Sequence, residues 1–271
     1  MFDNSGLIEI IPDPEEIDSY VELSGRYHLG FEYNDFYVPD LLDDEKALRE
    51  KVAFYNGLHR QKGVDTLHGV FFDITPFSWD SGIRRHSIYR MQQSVEIAGA
   101  LGCRGVIFHT NLNPELVDGE KYRRSWLEAM AETMRLLLKQ DNSLEIYCEN
   151  MFDESPRELA ELAAMLEGER RFGVCLDIGH VMLTPHDPEG WFQTLAPFIR
   201  HFHMNDNHLK RDEHLPLGCG NIEWNRIFQL MEQYGLKDRS VLLEVNGLEK
   251  IGKSMDYLCR QVSFLERQRK V

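Results

Sequence analysis

Three things are scarce in this sequence: long apolar runs, paired cysteines and positive charge. No stretch approaches the ~18 consecutive apolar residues that a membrane-spanning helix needs, which argues against a membrane association of that kind. The first residues, MFDNSGLIEIIPDPEE, contain neither a basic segment nor a long apolar one. A secretory leader is therefore not expected, and the cytoplasm is the default compartment. The cysteines Cys103, Cys148, Cys175, Cys219 and Cys259 are odd in number, scattered and without a CxxC pair. That excludes a disulfide framework and a cysteine-based zinc site, and leaves reduced core or turn thiols. Lys and Arg number 30 against 45 Asp and Glu, for a net charge of −15. Binding through phosphate contacts needs a basic surface, so this balance weighs against a nucleic-acid partner. A Pro/Gly/Ser linker, a low-complexity tract and a mid-chain shift in composition are also missing. One domain over residues 1–271 is the economical expectation.

What is present is an alternation of short apolar runs with longer amphipathic ones. Strands are expected at Leu7–Ile11, Leu29–Tyr33, Asp65–Phe72, Gly105–His109, Leu144–Asn150, Phe172–Asp177, Ile199–Met204 and Val241–Val245. All are rich in Ile, Val, Leu and Phe, as strands buried on both faces must be. Helices are expected between them: the end of a short one at Ser19–Arg26, then Asp44–Lys62, His86–Leu101 and a fourth carrying Trp126, Met130, Met134 and Leu137 on one face. Ser155-Pro156-Arg157-Glu158 reads as an N-cap, a proline at the first helical position and a capping-box acid. Pro197 ends the next helix near Ala196, and Ile222–Tyr234 and Glu249–Gln268 complete the set. Eight strand–helix pairs imply an α/β fold with a closed parallel (β/α)8 barrel, the TIM-barrel architecture; an open doubly wound sheet is the alternative.

In such a barrel the C-terminal ends of the strands share one mouth. Here His68, His109, Glu149, Asp177, His203 and Glu244 end six consecutive strands, and all are metal-capable. The stretch from Arg200 to Ile222 is the densest. His203 is followed by Asp206, and Asp212 and His214 flank one residue ahead of Gly218 and Gly220. His180 lies three residues after Asp177, so a helical turn there brings it over the mouth. His201 shares the parity of His203 and reads as a hydrogen-bonded core histidine one layer lower. By the same parity Cys148 faces the helix layer, and Cys175 sits a layer down, out of ligand range.

GFEYND, CENMFDESPRELAEL, CLDIGH, HFHMNDN, DEHLPLGCGNIEW and LLEVN follow one another over nearly the whole chain. In that order and spacing they resemble the xylose isomerase-like barrels, a family that includes endonuclease IV and sugar or sugar-phosphate isomerases and epimerases. The resemblance implies a divalent ion on Glu149, Asp177, His203 and Glu244. It also implies that His68, His109, His180, Asp212 and His214 occupy the further ligand positions that endonuclease IV uses around three zinc ions. Three features favour the sugar-active branch. The loop 34–45 holds five acids and no Lys or Arg, where a DNA-contacting loop would not. The interval from His203 to Asp212 is short, in the DEHLPLG form, and the overall charge is acidic.

The expectation is thus a metal-dependent isomerase or epimerase of a sugar, sugar phosphate or polyol, with Glu149 and Glu244 moving a proton next to a metal-polarised carbonyl. The mixed His/carboxylate set suits Mn, Zn, Co, Fe or Mg. His180 and Arg211 would orient hydroxyls or a phosphate, and His68, His109 and His214 would line the pocket or hold a second ion. Phe71, Phe77 and Trp79, after the third strand, are candidates to close over the sugar. A zinc-dependent hydrolase of abasic DNA, an inosose-dehydratase-like lyase and a non-catalytic sugar-binding barrel are the alternatives. A homo-oligomer is compatible with all of them.

Overall fold

The computed structural model describes residues 7–60 and 63–268. Residues 1–6, part of the segment without leader features, and Gln61 and Lys62, the expected end of one helix, lie outside the described residues. The strands are β1 (Ile8–Ile10), β2 (Gly30–Tyr33), β3 (Thr66–His68), β4 (Gly105–His109), β5 (Glu145–Glu149), β6 (Phe172–Asp177), β7 (Ile199–Met204) and β8 (Ser240–Leu243). They pair in parallel in sequence order, and β1 closes on β8, Ile8 to Val241, so the sheet is a complete barrel. This is the single-domain TIM barrel expected from the alternation of elements. Among the described residues no helix is long and apolar enough to cross a membrane.

The helices are α1 (Ile17–Tyr27), α2 (Pro39–Asp43), α3 (Glu45–Asn56), α4 (Ser81–Leu101), α5 (Glu120–Gln140), α6 (Arg157–Met165), α7 (Ile178–Val181), α8 (Pro188–Leu195), α9 (Trp224–Gln233) and α10 (Leu248–Gln268). Their boundaries follow local chemistry. Asp44 caps α3 by accepting from the amides of Lys46 and Ala47, and the helix stops at Gly57 rather than running on toward Lys62. Asp80 accepts from Gly82 and Ile83, which starts α4 five residues before His86. At α6 the cap is looser than the SPRE motif implies. Ser155 Oγ accepts from the Arg157 amide at 3.4 Å, and Pro156 itself stands at the cap position.

The layer between sheet and helices is apolar and dense, with Trp126, Trp191, Trp224, Phe108 and Phe202 among its fully buried side chains. Cys148 belongs to this layer, as its parity implies. The inside of the barrel is different. Tyr147, Ile107 and Cys175 form its small apolar part. Around them Glu9, Glu32, Thr66 and His201 are also completely buried.

β3 is shorter than its apolar run suggests. After His68 the Gly69 amide bonds to Ile107 O, and a Cβ at Gly69 would come within 2.3 Å of the Phe108 ring, so the chain must turn out here. The turn releases residues 70–80 into a loop over the mouth. The segment between β7 and α9 is tied down by one side chain. Asp206, fully buried, accepts from the amides of Gly218 and Ile222 and from Trp224 Nε1, while its backbone pairs with Leu215. Gly220 is required beneath it, because a Cβ there would lie 2.4 Å from Asp206 Oδ1. Asp206 is thus the clasp of the His-rich stretch. An Asp206→Ala variant strands four donors, these three and the Asn207 amide, and its unfolding free energy in chemical denaturation is expected to fall by about 3 kcal/mol or more.

Candidate metal centre

Strand register decides which side chains meet. In the sheet His109 pairs with Glu149 and Asp177 with His203, while Glu149 pairs across to Cys175, so Asp177 and His203 stand one step further toward the mouth than His109 and Glu149. His68 ends β3, and Glu244 sits one residue beyond β8, because that strand ends at Leu243. At the centre is the His203 ring. Its Nδ1 lies 3.2 Å from Glu149 Oε1 and 3.7 Å from Glu244 Oε2, and its Nε2 lies 3.3 Å from Glu32 Oε1. Asn205 joins the remaining acids, its Nδ2 lying 3.2 Å from Glu244 Oε2 and 3.4 Å from Asp177 Oδ2.

A second group shares Glu149. His68 Nε2 and His109 Nε2 each approach Glu149 Oε2 to 3.5 Å. On the other side α7 opens with Asp177 as its cap, which accepts from the His180 amide. The turn carries His180 over the mouth, 3.8 Å from Glu149 Oε1 and 3.5 Å from Asp212 Oδ2. Asp212 in turn accepts from His214 Nε2 at 2.7 Å, and the His214 Nδ1 lies 2.9 Å from the Glu244 carbonyl oxygen. His214 is held at φ 46°, left-handed backbone that a non-glycine residue adopts only under constraint. The clasp at Asp206 supplies that constraint.

Burial and close opposite charges shift most groups of the cluster. Burial works to raise Glu149, but the imidazoles of His203 and His109 outweigh it and hold the carboxyl well below its ordinary range. Asp177 goes the other way: burial, with Glu244 and Glu149 nearby, pushes it well above. Burial would lower His203, yet Cys175, Glu149 and Glu32 together raise it well above the usual imidazole value. The carboxylates carry that effect, because burial pushes the Cys175 thiol up and keeps it neutral. His180 is raised strongly against its own burial, mainly by Asp177. His214, mostly buried but paired with Asp212, rises to about 9. His109, by contrast, is driven down to about 3 by burial that Glu149 does not offset.

Buried imidazoles and carboxylates thus offset one another's charge across the cluster. Both oxygens of Glu149 and both ring nitrogens of His203 are buried without an aligned hydrogen bond. Orphaned atoms of this kind, in His and carboxylate groups, fit a divalent ion. Glu149, Asp177 and His180 bring their ligand atoms within 4.8 Å of one another, as do His68, His109 and Glu149.

Three sequence expectations need correction. Arg211 stays outside the cluster: its guanidinium is 80% exposed and rests on Glu213 at 3.4 Å. Cys175 is not out of range, since its Sγ and the rings of His201 and His203 fall within the same 4.8 Å, because the layers of a narrow barrel interior are close together. Of the three candidate aromatics Phe71, Phe77 and Trp79, Phe71 alone reaches the mouth, 5.1 Å from His68 and 5.7 Å from His109 between ring centroids, with Phe72 beside it. Phe77 packs on Trp126, and Trp79 is exposed beneath Lys121. Sequence reading also passed over Glu9 and Glu32. Their signal is an acid inside an apolar strand, IEI and GFEY, where an unpaired charge is costly.

Comparison with known proteins gives the same frame. Residues 27–261 match the family model described as xylose isomerase-like TIM barrel. An uncharacterized protein of Methanocaldococcus jannaschii, MJ1311, is 25% identical over 202 residues, which is 71% of this chain and 68% of that one. Among solved structures, a D-tagatose 3-epimerase-like protein superposes with a TM-score of 0.75 at 20% identity, covering 96% of this chain and 98% of its own. The TTHB071 protein from Thermus thermophilus, solved after soaking with ZnCl2, gives 0.72 at 22% identity, covering 94% and 97%. At these identities the structural likeness is one of fold.

A divalent ion on His203 would compete with a ring proton that the neighbouring carboxylates favour, so binding is expected to release protons and to weaken as pH falls. Titrating metal-free protein with Mn2+ in buffers of different ionisation heat should show about one proton or more released per ion. Binding without proton release would contradict the assigned imidazoles.

Proposed function

This chain belongs to the xylose isomerase-like TIM barrel family, and on that premise we propose that it is a divalent-metal-dependent isomerase or epimerase of an unphosphorylated sugar or sugar-like polyol. The observation that carries the proposal is the convergence of two carboxylates, Glu149 and Glu244, on one imidazole beneath a small mouth. Glu149, Asp177, His203 and Glu244 would hold the ion, which when bound supplies Lewis-acid polarisation of a substrate carbonyl. The mixed donor set suits Mn, Zn, Co, Fe or Mg, and a zinc soak of one structural neighbour is in keeping with it.

The chain's own groups then account for proton transfer. Glu149 lies well below the ordinary carboxylate range, so it is ionised and ready to accept the proton α to the carbonyl. Glu244 sits at the edge of the mouth, 14% exposed, with Asn205 fixing one oxygen at 3.2 Å. A proton taken by one carboxylate and returned by the other to the opposite face inverts a carbon; returned to the neighbouring carbon, it moves the carbonyl. His68 and His180 are placed to orient hydroxyls, and the neutral His109 can donate or accept.

The mouth supports a single small sugar. Its cavity is about 220 Å³, below the roughly 300–1,000 Å³ of sites for drug-sized ligands, which suits a small sugar. Phe71 and Phe72 give it an apolar wall. None of its lining residues is Lys or Arg, and Arg211 faces solvent, so nothing there favours a phosphate. The D-tagatose 3-epimerase-like neighbour supports the same substrate class.

The test is exchange of the substrate α-hydrogen in D2O across a panel of free ketoses with Mn2+-loaded protein. Wild type should incorporate deuterium into product. Glu149→Gln should lose about 10²–10⁴-fold in rate while still folding. Wild-type exchange in that variant would sink the proton-transfer role, and cleavage of an abasic oligonucleotide in place of ketose turnover would favour the hydrolase.

A further inference from the structure

Below the proposed ligands, β1 and β2 turn Glu9 and Glu32 into the barrel, both at 0% exposure. The Thr66 hydroxyl lies between them, 2.7 Å from Glu32 Oε2 and in short contact with Glu9 Oε2. A hydroxyl has one proton to donate, so two carboxylates cannot both accept from it; one of the three-oxygen bridge's ends must itself be a protonated acid. The surroundings say which. Glu32 faces two imidazole nitrogens, His203 Nε2 at 3.3 Å and His201 Nε2 at 3.4 Å. Glu9 has only His201 Nδ1 at 3.8 Å, and that atom is already engaged with Ser240 Oγ at 2.7 Å. The proton therefore sits on Glu9, which donates to Thr66, which donates to Glu32. Burial and the repulsion from Glu32 raise Glu9 in the same sense. Glu32 remains the anion.

That anion lies behind His203. The ring presents Nδ1 to Glu149 and Glu244 and Nε2 to Glu32. Neutral imidazole carries its proton on one nitrogen, and only the Nε2–H tautomer leaves a lone pair on the side of the other ligands. His203 Nε2 and Glu32 Oε1 have no aligned partner elsewhere among the described residues, so a small rotation of the ring completes a bond between them. We propose that Glu32 is a positioning residue for His203: by accepting the Nε2–H it holds the ring in the tautomer that offers Nδ1 to a divalent cation. A carboxylate behind a ligating histidine also raises the ring's basicity. The inference rests on His203 being a metal ligand, as proposed above.

Metal affinity tests it without recourse to turnover. Mn2+ binding to metal-free protein is measured by calorimetry for wild type, Glu32→Gln, Glu9→Gln and His203→Ala, with thermal unfolding of each variant as the control for folding. Glu32→Gln is expected to bind about 10–100-fold more weakly, the usual loss for an outer partner of a ligand. Glu9→Gln should bind within about twofold of wild type, because an amide NH2 replaces the acid proton toward Thr66. Wild-type affinity in folded Glu32→Gln would overturn the assignment. Nitrogen-15 NMR of the wild-type imidazoles needs no variant. With Mg2+ or Zn2+ bound, His203 should be the Nε2–H tautomer, and an Nδ1–H tautomer would overturn the assignment equally. If His203→Ala binds as wild type does, the metal reading of His203 itself falls, and the role of Glu32 with it.

Discussion

The cost of burying a cluster of carboxylates governs this molecule. Glu149 and Asp177 are fully buried, Glu244 and Asp212 are partly so, and the cavity that Glu244 and Asp212 line has no Lys or Arg among its described lining residues. Ionised groups removed from water carry a penalty of several kcal/mol each unless they are paired. In this structure the pairing is made by imidazoles that hold protons well above their usual range. On the metal reading proposed above, an ion entering such a cluster would replace ring protons. A purely structural barrel would fill the same positions with branched apolar side chains.

The rest of the fold is arranged to hold that cluster still. Parallel register brings His109 level with Glu149 and Asp177 level with His203. The apolar layer between sheet and helices supplies the stability that the polar interior does not. Asp206 clasps the stretch after β7, and the strain at His214 shows that the loop is held where it is rather than resting there. Under the ligands the barrel floor is polar too, with Glu9, Thr66, Glu32 and His201 forming a chain that ends on the His203 ring. The site is therefore three layers deep, from Phe71 at the rim through the candidate ligands to Glu9.

Much of this was legible from residues alone, for physical reasons. β4, β6 and β7 have the ends expected from their apolar runs, because strands buried on both faces leave no periodic ambiguity. His68, His109, Glu149 and Asp177 close their strands as read, and barrel geometry makes such positions converge. What sequence could not carry was distance across the barrel. Glu32 is far from His203 in the chain and joins it only through closure of the sheet. Cys175 comes nearer to the His203 ring than counting layers implies. Arg211, beside Asp212 in sequence, points to solvent because Glu213 holds it there. The family resemblance named the right frame, and the finer chemistry came from where protons and lone pairs are left unmatched.

The central claim is that one ion sits among Glu149, Asp177, His203 and Glu244. Anomalous diffraction from crystals soaked in Mn2+ addresses it most directly. The expected result is a difference peak within about 2.0–2.3 Å of one donor atom from each of the four, with His203 contributing Nδ1. A map without a peak at those residues, or with its strongest peak on Glu9 and His201 at the barrel floor, would contradict it.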